Sequence, residues 1–292
     1  MDHLLQSVVG VRSRRVTLAE HGDPAGRPVF LLHGTPACRL GNEFAHAPAV
    51  ERGIRVICPD RPGIGGSDPL PGRTLRGYAG ELTDLADALG IGTFAVVGYS
   101  CGGPYALACA ARCGPRLTGV ALMAGAGPID DRPAARDGLA PSDRQLLDLI
   151  EHQPLRAAWT LRAMRFAARH FPGVTVQQFA DELAAPDRAV LDGADPAAVM
   201  AFFVESMRQG PAGVIEEYRL WSSPWDIEWS AITVPVHVFQ GDTDRMVPMD
   251  HAEDIVTRLP DGLGRLHRLP GVGHVSIQGR IGEILDAASP GG

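Results

Sequence analysis

Gly98-Tyr99-Ser100-Cys101-Gly102 places a serine between two glycines, directly after the apolar run FAVVGYS (94–100) and before an Ala-rich helical stretch. A serine on so sharp a strand-to-helix turn points its hydroxyl outward, which is the arrangement of a nucleophile elbow. The hydroxyl is a weak nucleophile at neutral pH. It needs a base within hydrogen-bond reach and a carboxylate that orients the base. Ten histidines are available. His274 is the candidate base, because Gly271-Val272-Gly273-His274 lies just beyond the last strand expected in the chain, where loops at the carboxyl ends of parallel strands collect functional groups. The orienting acid should follow another strand. Asp244, deep in the loop Gly241-Asp242-Thr243-Asp244 after VHVFQ, is preferred to Asp242, which is placed to cap the turn. Transition-state stabilisation asks for two N–H donors aimed at the oxyanion. Cys101, at the start of the outgoing helix, offers one. Thr35 in His33-Gly34-Thr35-Pro36 offers the other, since Pro36 has no N–H.

The remaining candidates carry less chemistry. His21, His46, His152, His170, His251 and His267 are expected on surface helices or loops, and His237 within a strand. Asp242-x-Asp244 resembles the start of a Ca²⁺ loop, but Val247 stands where glycine is required and the intervening ligands before Glu253 are missing, so no metal is expected. Arg162, Arg165 and Arg169 share a helix face and are read as solvated rather than as a carboxylate clamp. Cys101 is expected to be partly accessible, and Cys109 and Cys113 to be small core residues. All four tryptophans (159, 221, 225 and 229) fall in one segment. They either line an apolar pocket or form that segment's own small core. Tyr99, Trp159, Trp221 and Trp225 are taken as the candidate substrate-binding residues.

These residues need a scaffold. The runs VFLL (29–32), RVICPD (55–60), FAVVGYS (94–100) and VALMAGAG (120–127) are apolar throughout and alternate with helical stretches near 38–51, 75–90 and 101–112. That pattern indicates a parallel sheet covered on both faces, preceded by a hairpin near 8–12 and 15–20. From 128 to 229 no strand is expected. Helices near 142–152, 155–170, 175–184, 196–209 and 211–222 are punctuated by Pro154, Pro172, Pro186, Pro196 and Pro211. Strand and helix alternation resumes with 234–242, 248–259, 265–269 and 276–288. The reading is one α/β core, 1–127 and 230–292, interrupted by a helical lid at 128–229.

Taken in order, the His33-Gly34 loop, Asp60-Arg61-Pro62-Gly63-Ile64-Gly65-Gly66-Ser67, the Gly98–Gly102 elbow, Gly241–Asp244 with Val247-Pro248, and Gly273-His274 resemble the α/β-hydrolase superfamily, in particular its lid-bearing members. The resemblance spans 15–127 and 234–288. It implies an eight-stranded, mostly parallel sheet, a lid after the sixth strand, no cofactor, and a purely structural role for 60–67. It also implies that Ser100 argues against dehalogenases and epoxide hydrolases, which attack with Asp. The absence of extra glycines after His33 argues against prolyl iminopeptidases. The function expected is a serine hydrolase acting on a small to medium apolar ester, lactone or related acyl compound. The alternatives are a C–C bond hydrolase with the same triad and a ligand-binding protein that does not use it.

Composition bounds the partners. The 292 residues are 45% hydrophobic and 21% charged, the balance of a globular protein with a sizeable core. Net charge is −7, and all 27 basic residues are arginine. A small-molecule substrate is expected, and neither nucleic acid nor an anionic membrane. Arg14-Arg15 is not followed by an apolar stretch, and five cysteines make an odd set. Reduced thiols and a cytoplasmic location are therefore expected.

Overall fold

The computed structural model describes residues 5–291. Eight strands form one sheet: β1 (Leu5–Val11), β2 (Arg14–Gly22), β3 (Arg27–Leu32), β4 (Ile54–Pro59), β5 (Phe94–Tyr99), β6 (Leu117–Met123), β7 (Val236–Gly241) and β8 (Gly264–Leu269). Their order is β1-β2-β4-β3-β5-β6-β7-β8. β1 pairs antiparallel with β2 and β2 with β4, and every pairing from β4 to β8 is parallel. The central strands are buried on both faces, which explains their unbroken apolar runs. Strand order reverses at β3, which lies between β4 and β5. The crevice at the carboxyl ends of β3 and β5 is the switch point where ligands bind in open α/β sheets.

Helices cover both faces. α1 (His46–Glu51) and α12 (Ile281–Ala288) pack on one side, and α2 (Leu75–Ala88), α3 (Gly103–Arg112) and α11 (Met249–Arg258) on the other. Between β6 and β7 there is no strand. Seven helices fill the interval: α4 (Pro133–Asp137), α5 (Pro141–His152), α6 (Pro154–His170), α7 (Pro172–Glu182), α8 (Ala185–Leu191), α9 (Pro196–Ser206) and α10 (Ala212–Ser222). Proline sits in the first turn of six of them, where its missing N–H costs no helical bond. Pro186 is expected from the sequence to break a helix. It instead opens α8, a helix outside that expectation. The inserted helices share an apolar cluster that includes Leu147, Leu161, Met207, Val214, Tyr218 and Trp221. The same cluster takes in Cys101 and Val247 from the core loops, so the insertion rests directly over the switch point. Among the described residues, no helix is long and apolar enough to cross a membrane.

Candidate active site

Ser100 follows β5 with φ of 53°, a left-handed conformation that a serine adopts only where its surroundings enforce it. The turn is tight enough that a Cβ on Gly102 would lie 2.2 Å from the Leu32 carbonyl oxygen, so position 102 admits glycine alone. His274 Nε2 lies 3.1 Å from Ser100 Oγ, and its Nδ1 lies 2.8 Å from Asp244 Oδ2. Asp244 is fully engaged. Oδ1 accepts the N–H groups of Met246 and Val247 at 2.8 and 2.9 Å, and Oδ2 also accepts Gln240 Nε2 at 3.0 Å. Asp242 does something else: its Oδ1 accepts the Gly271 N–H at 2.7 Å and ties two loops together. The structure therefore brings together Ser100, His274 and Asp244, and leaves Asp242 outside.

The imidazole is buried, which lowers its pKa. The Asp244 charge and hydrogen bond, with Asp187 and Asp143 beyond, outweigh that and leave it raised above the ordinary 6.5. A general base must be neutral, so a raised pKa moves the loss of activity toward higher pH. kcat/KM is expected to fall with acidification through a midpoint above 6.5. A pH–rate profile with its acid limb below that value would contradict this geometry.

The loop after β3 closes against Ser100. A Cβ on Gly34 would sit 3.1 Å from Ser100 Cβ. Arg61 fixes this loop: its guanidinium donates to the His33 carbonyl, to the Gly34 carbonyl at 3.1 Å and to Thr35 Oγ1 at 3.0 Å. Thr35 Oγ1 in turn donates to Glu217 Oε2 at 3.0 Å, and the Thr35 N–H has no acceptor among the described residues. Glu217 comes from α10 and binds Arg61 Nε at 2.7 Å, Arg73, and the Tyr105 hydroxyl at 3.1 Å. Burial raises its pKa, but Arg61 and Arg73 overcome that and hold it at about 2. His33 beneath the loop is pushed down to about 3 by burial and by the Arg61 charge, and is therefore neutral.

Two acids of the inserted helices thus support loops at the sheet, and the sequence carried no signal for either. The second is Asp187 on α8, which is fully buried. It accepts the N–H groups of His274, Val275 and Ser276 at 2.8–2.9 Å and the Ser276 hydroxyl at 2.9 Å. The carboxylate occupies the space where a Cβ of residue 273 would stand, 2.3 Å away, which is why glycine precedes His274. Asp187→Ala leaves three N–H groups unpaired, two of them buried. It is expected to cost about 3 kcal/mol of stability and about tenfold or more in kcat. Urea unfolding and kcat on one preparation test this, and an unchanged kcat would show that His274 needs no such anchor.

Several expected placements are corrected. Tyr99 does not face the inserted helices: on β5 it shares the face of Ala95 and Val97, which packs with α1 and α12, whereas Cys101 belongs to the cluster of the inserted helices. There it stacks on the His274 ring and donates to the His274 carbonyl at 2.9 Å, so it positions His274. Trp159 points to solvent, 71% exposed, because α6 turns Ala157 and Leu161 inward and residue 159 lies on the far face. Trp225 is partly buried, stacks on Trp229 and packs between the sheet cluster and that of the inserted helices. Of the tryptophans, Trp221 is the one buried in the cluster that holds Cys101, its Nε1 donating to the Gly127 carbonyl at 2.9 Å. Cys101 is buried rather than accessible, and burial pushes its thiol well above the ordinary range. His21 and His251 are buried as well, not on the surface. Arg162 lies over the Trp159 ring and Arg165 binds the Val204 carbonyl, away from Ser100.

Comparison with known proteins agrees with this architecture. The family model for the alpha/beta hydrolase fold matches residues 27–278. The chain belongs to the alpha/beta hydrolase family. A similar curated relative is the 2-hydroxy-6-oxo-6-phenylhexa-2,4-dienoate hydrolase of Burkholderia cepacia, 28% identical over 275 residues, 91% of this chain and 86% of the relative. Another is the pimeloyl-[acyl-carrier protein] methyl ester esterase of Aromatoleum aromaticum, 30% identical over 251 residues, 84% of this chain and 90% of the relative. An esterase from Exiguobacterium antarcticum superposes with a TM-score of 0.72 at 19% identity, covering 98% of this chain and 100% of that one. This alpha/beta hydrolase is thus an enzyme of the hydrolase class.

Proposed function

We propose that this alpha/beta hydrolase cleaves a small to medium, uncharged, largely apolar acyl substrate, a carboxylic ester or lactone, through an acyl-enzyme on Ser100. The observation that carries the reading is the continuous hydrogen-bonded line from Asp244 through His274 to Ser100. Ser100 Oγ attacks the carbonyl carbon as His274 Nε2 takes its proton. The resulting oxyanion is held by the N–H groups of Thr35 and Cys101. Collapse expels the alcohol, which receives the proton from His274. Water then repeats the sequence on the acyl-enzyme, and the carboxylic acid leaves with Ser100 restored. Asp244 keeps the imidazole in the tautomer that presents a lone pair to Ser100 and stabilises the imidazolium.

An apolar substrate is supported by the side chains gathered around Cys101, among them Ile129, Leu147, Met207, Trp221 and Val247. A neutral one is supported by charge. The acids that raise His274 are Asp244, Asp187 and Asp143, and the buried cations near the Thr35 loop, Arg61 and Arg73, are both taken by Glu217.

A second reading is favoured by the Burkholderia relative, whose name specifies a dienoate with a 6-oxo group. The same triad can hydrolyse such a compound at a C–C bond. The two readings separate in one experiment. Wild type is given a p-nitrophenyl ester chain-length series and, in parallel, a 2-hydroxy-6-oxo-dienoate followed by loss of its absorbance. Turnover of short and medium esters with little loss of dienoate absorbance is expected. Fast dienoate cleavage with negligible ester turnover would replace the ester reading with the C–C reading.

A further inference from the structure

Asp143 lies in the first turn of α5, and its Oδ1 accepts the hydroxyl of Tyr218 on α10 at 2.6 Å. Tyr218 is 2% exposed and belongs to the apolar cluster that holds Cys101. The pair therefore puts a carboxylate beside the apolar cluster that holds Cys101, within electrostatic reach of His274. That carboxylate is underused. Oδ2 has no hydrogen-bond donor, and no arginine pairs with Asp143, among the described residues. The adjacent Arg144 turns to the Asp137 carbonyl, and Glu182 on α7, held by Ser142, adds a second negative charge nearby. Burial pushes Asp143 up to about 6 while Tyr218 and His274 pull it down, so at neutral pH it is mostly ionised. Its charge also reaches His274 and Cys101 and raises both.

Nothing in the acyl-transfer steps uses this group. A half-buried carboxylate in an apolar site, with one oxygen fixed and the other free, is a receptor for a donor or a cation. We propose that Asp143, held by Tyr218, is a specificity residue: it accepts acyl substrates whose far end carries a hydroxyl, amide N–H or ammonium group and turns away those ending in a carboxylate. This rests on the proposed function, because the pair acts on whatever acyl group is delivered to Ser100. It narrows the uncharged acyl substrate of that reading to one whose far end carries a hydrogen-bond donor, and extends it to a cationic far end.

The test uses alkyl fluorophosphonates of one chain length that end in methyl, hydroxyl, ammonium or carboxylate. Labelling rates are read by intact mass on wild type, Asp143→Asn and Asp143→Glu. Each rate is divided by the methyl probe's rate on the same protein, so that a general loss of reactivity cancels. Asp143→Asn keeps an acceptor for Tyr218 and removes the charge. The carboxylate-to-methyl ratio is expected to rise about tenfold or more and the ammonium-to-methyl ratio to fall by a similar factor. Asp143→Glu is expected to keep both ratios on the wild-type side. Ratios that stay within about twofold in Asp143→Asn would overturn the proposal and leave Asp143 as a brace for Tyr218. Failure of every probe to label wild type would overturn the serine-hydrolase reading itself, which separates the two failures.

Discussion

Ser100→Ala is expected to lower kcat by about three orders of magnitude or more, with KM and the unfolding midpoint little changed. The size follows from what the hydroxyl does. In the proposed mechanism it forms and breaks the covalent bond to the acyl group, and His274 and Asp244, hydrogen-bonded in line with it, act through it. The side chain is small, and its loss leaves the Gly102 and Gly34 contacts that shape the turn in place. Alanine at φ of 53° is as strained as serine there, so backbone strain does not change sign on substitution. Steady-state kinetics on the best ester of the series measure the effect. A variant within about tenfold of wild type would mean that another group attacks the carbonyl.

The second large effect is on stability. Glu217→Ala removes the carboxylate that pairs with both Arg61 and Arg73, all three of them buried. Two guanidinium groups without a counter-charge are expected to cost about 3–5 kcal/mol. The Tyr105 hydroxyl and Thr35 Oγ1 also lose an acceptor. Because Arg61 holds the His33 and Gly34 carbonyls, the Thr35 loop should loosen, and kcat should fall along with stability. The same charge sets an acid limit. Glu217 sits at about 2 against an ordinary 4.5, so its contribution is complete above the ordinary value and is lost as pH falls through its own. Urea unfolding of wild type and Glu217→Ala at neutral pH tests the magnitude. A difference under about 1 kcal/mol would show that the arginines find other partners.

The residues that meet at the candidate site were legible because local backbone demands mark them. Ser100 is flanked by glycines that the turn requires, and Gly273 precedes His274 because Asp187 fills the space of a side chain. Asp244 follows a strand whose apolar run is unambiguous. The supporting acids had no comparable mark. Glu217 and Arg61 are 156 residues apart, and a lone glutamate on a lid helix has the appearance of any solvated residue until the helix is docked. Asp187 lay behind Pro186, whose usual meaning as a breaker hid the short helix that carries it. Asp143 and Tyr218 meet across helices 75 residues apart. The tryptophans misled for a related reason. Aromatic content indicates that something is to be buried, but the helix rotation that sends Trp159 outward and Trp221 inward is set by tertiary packing, not by composition. The central parallel strands, by contrast, are hydrophobic on both faces and declare themselves without a partner.

The most direct test of the central claim is covalent. Wild type and Ser100→Ala are treated with a methyl-terminated alkyl fluorophosphonate, and intact mass is followed by peptide mapping. One adduct per chain on wild type, located at Ser100 and absent from the alanine variant, is the result this account predicts. An adduct that persists in Ser100→Ala, or a wild-type protein that stays unlabelled under the same treatment, would contradict the assignment of Ser100 as the activated nucleophile.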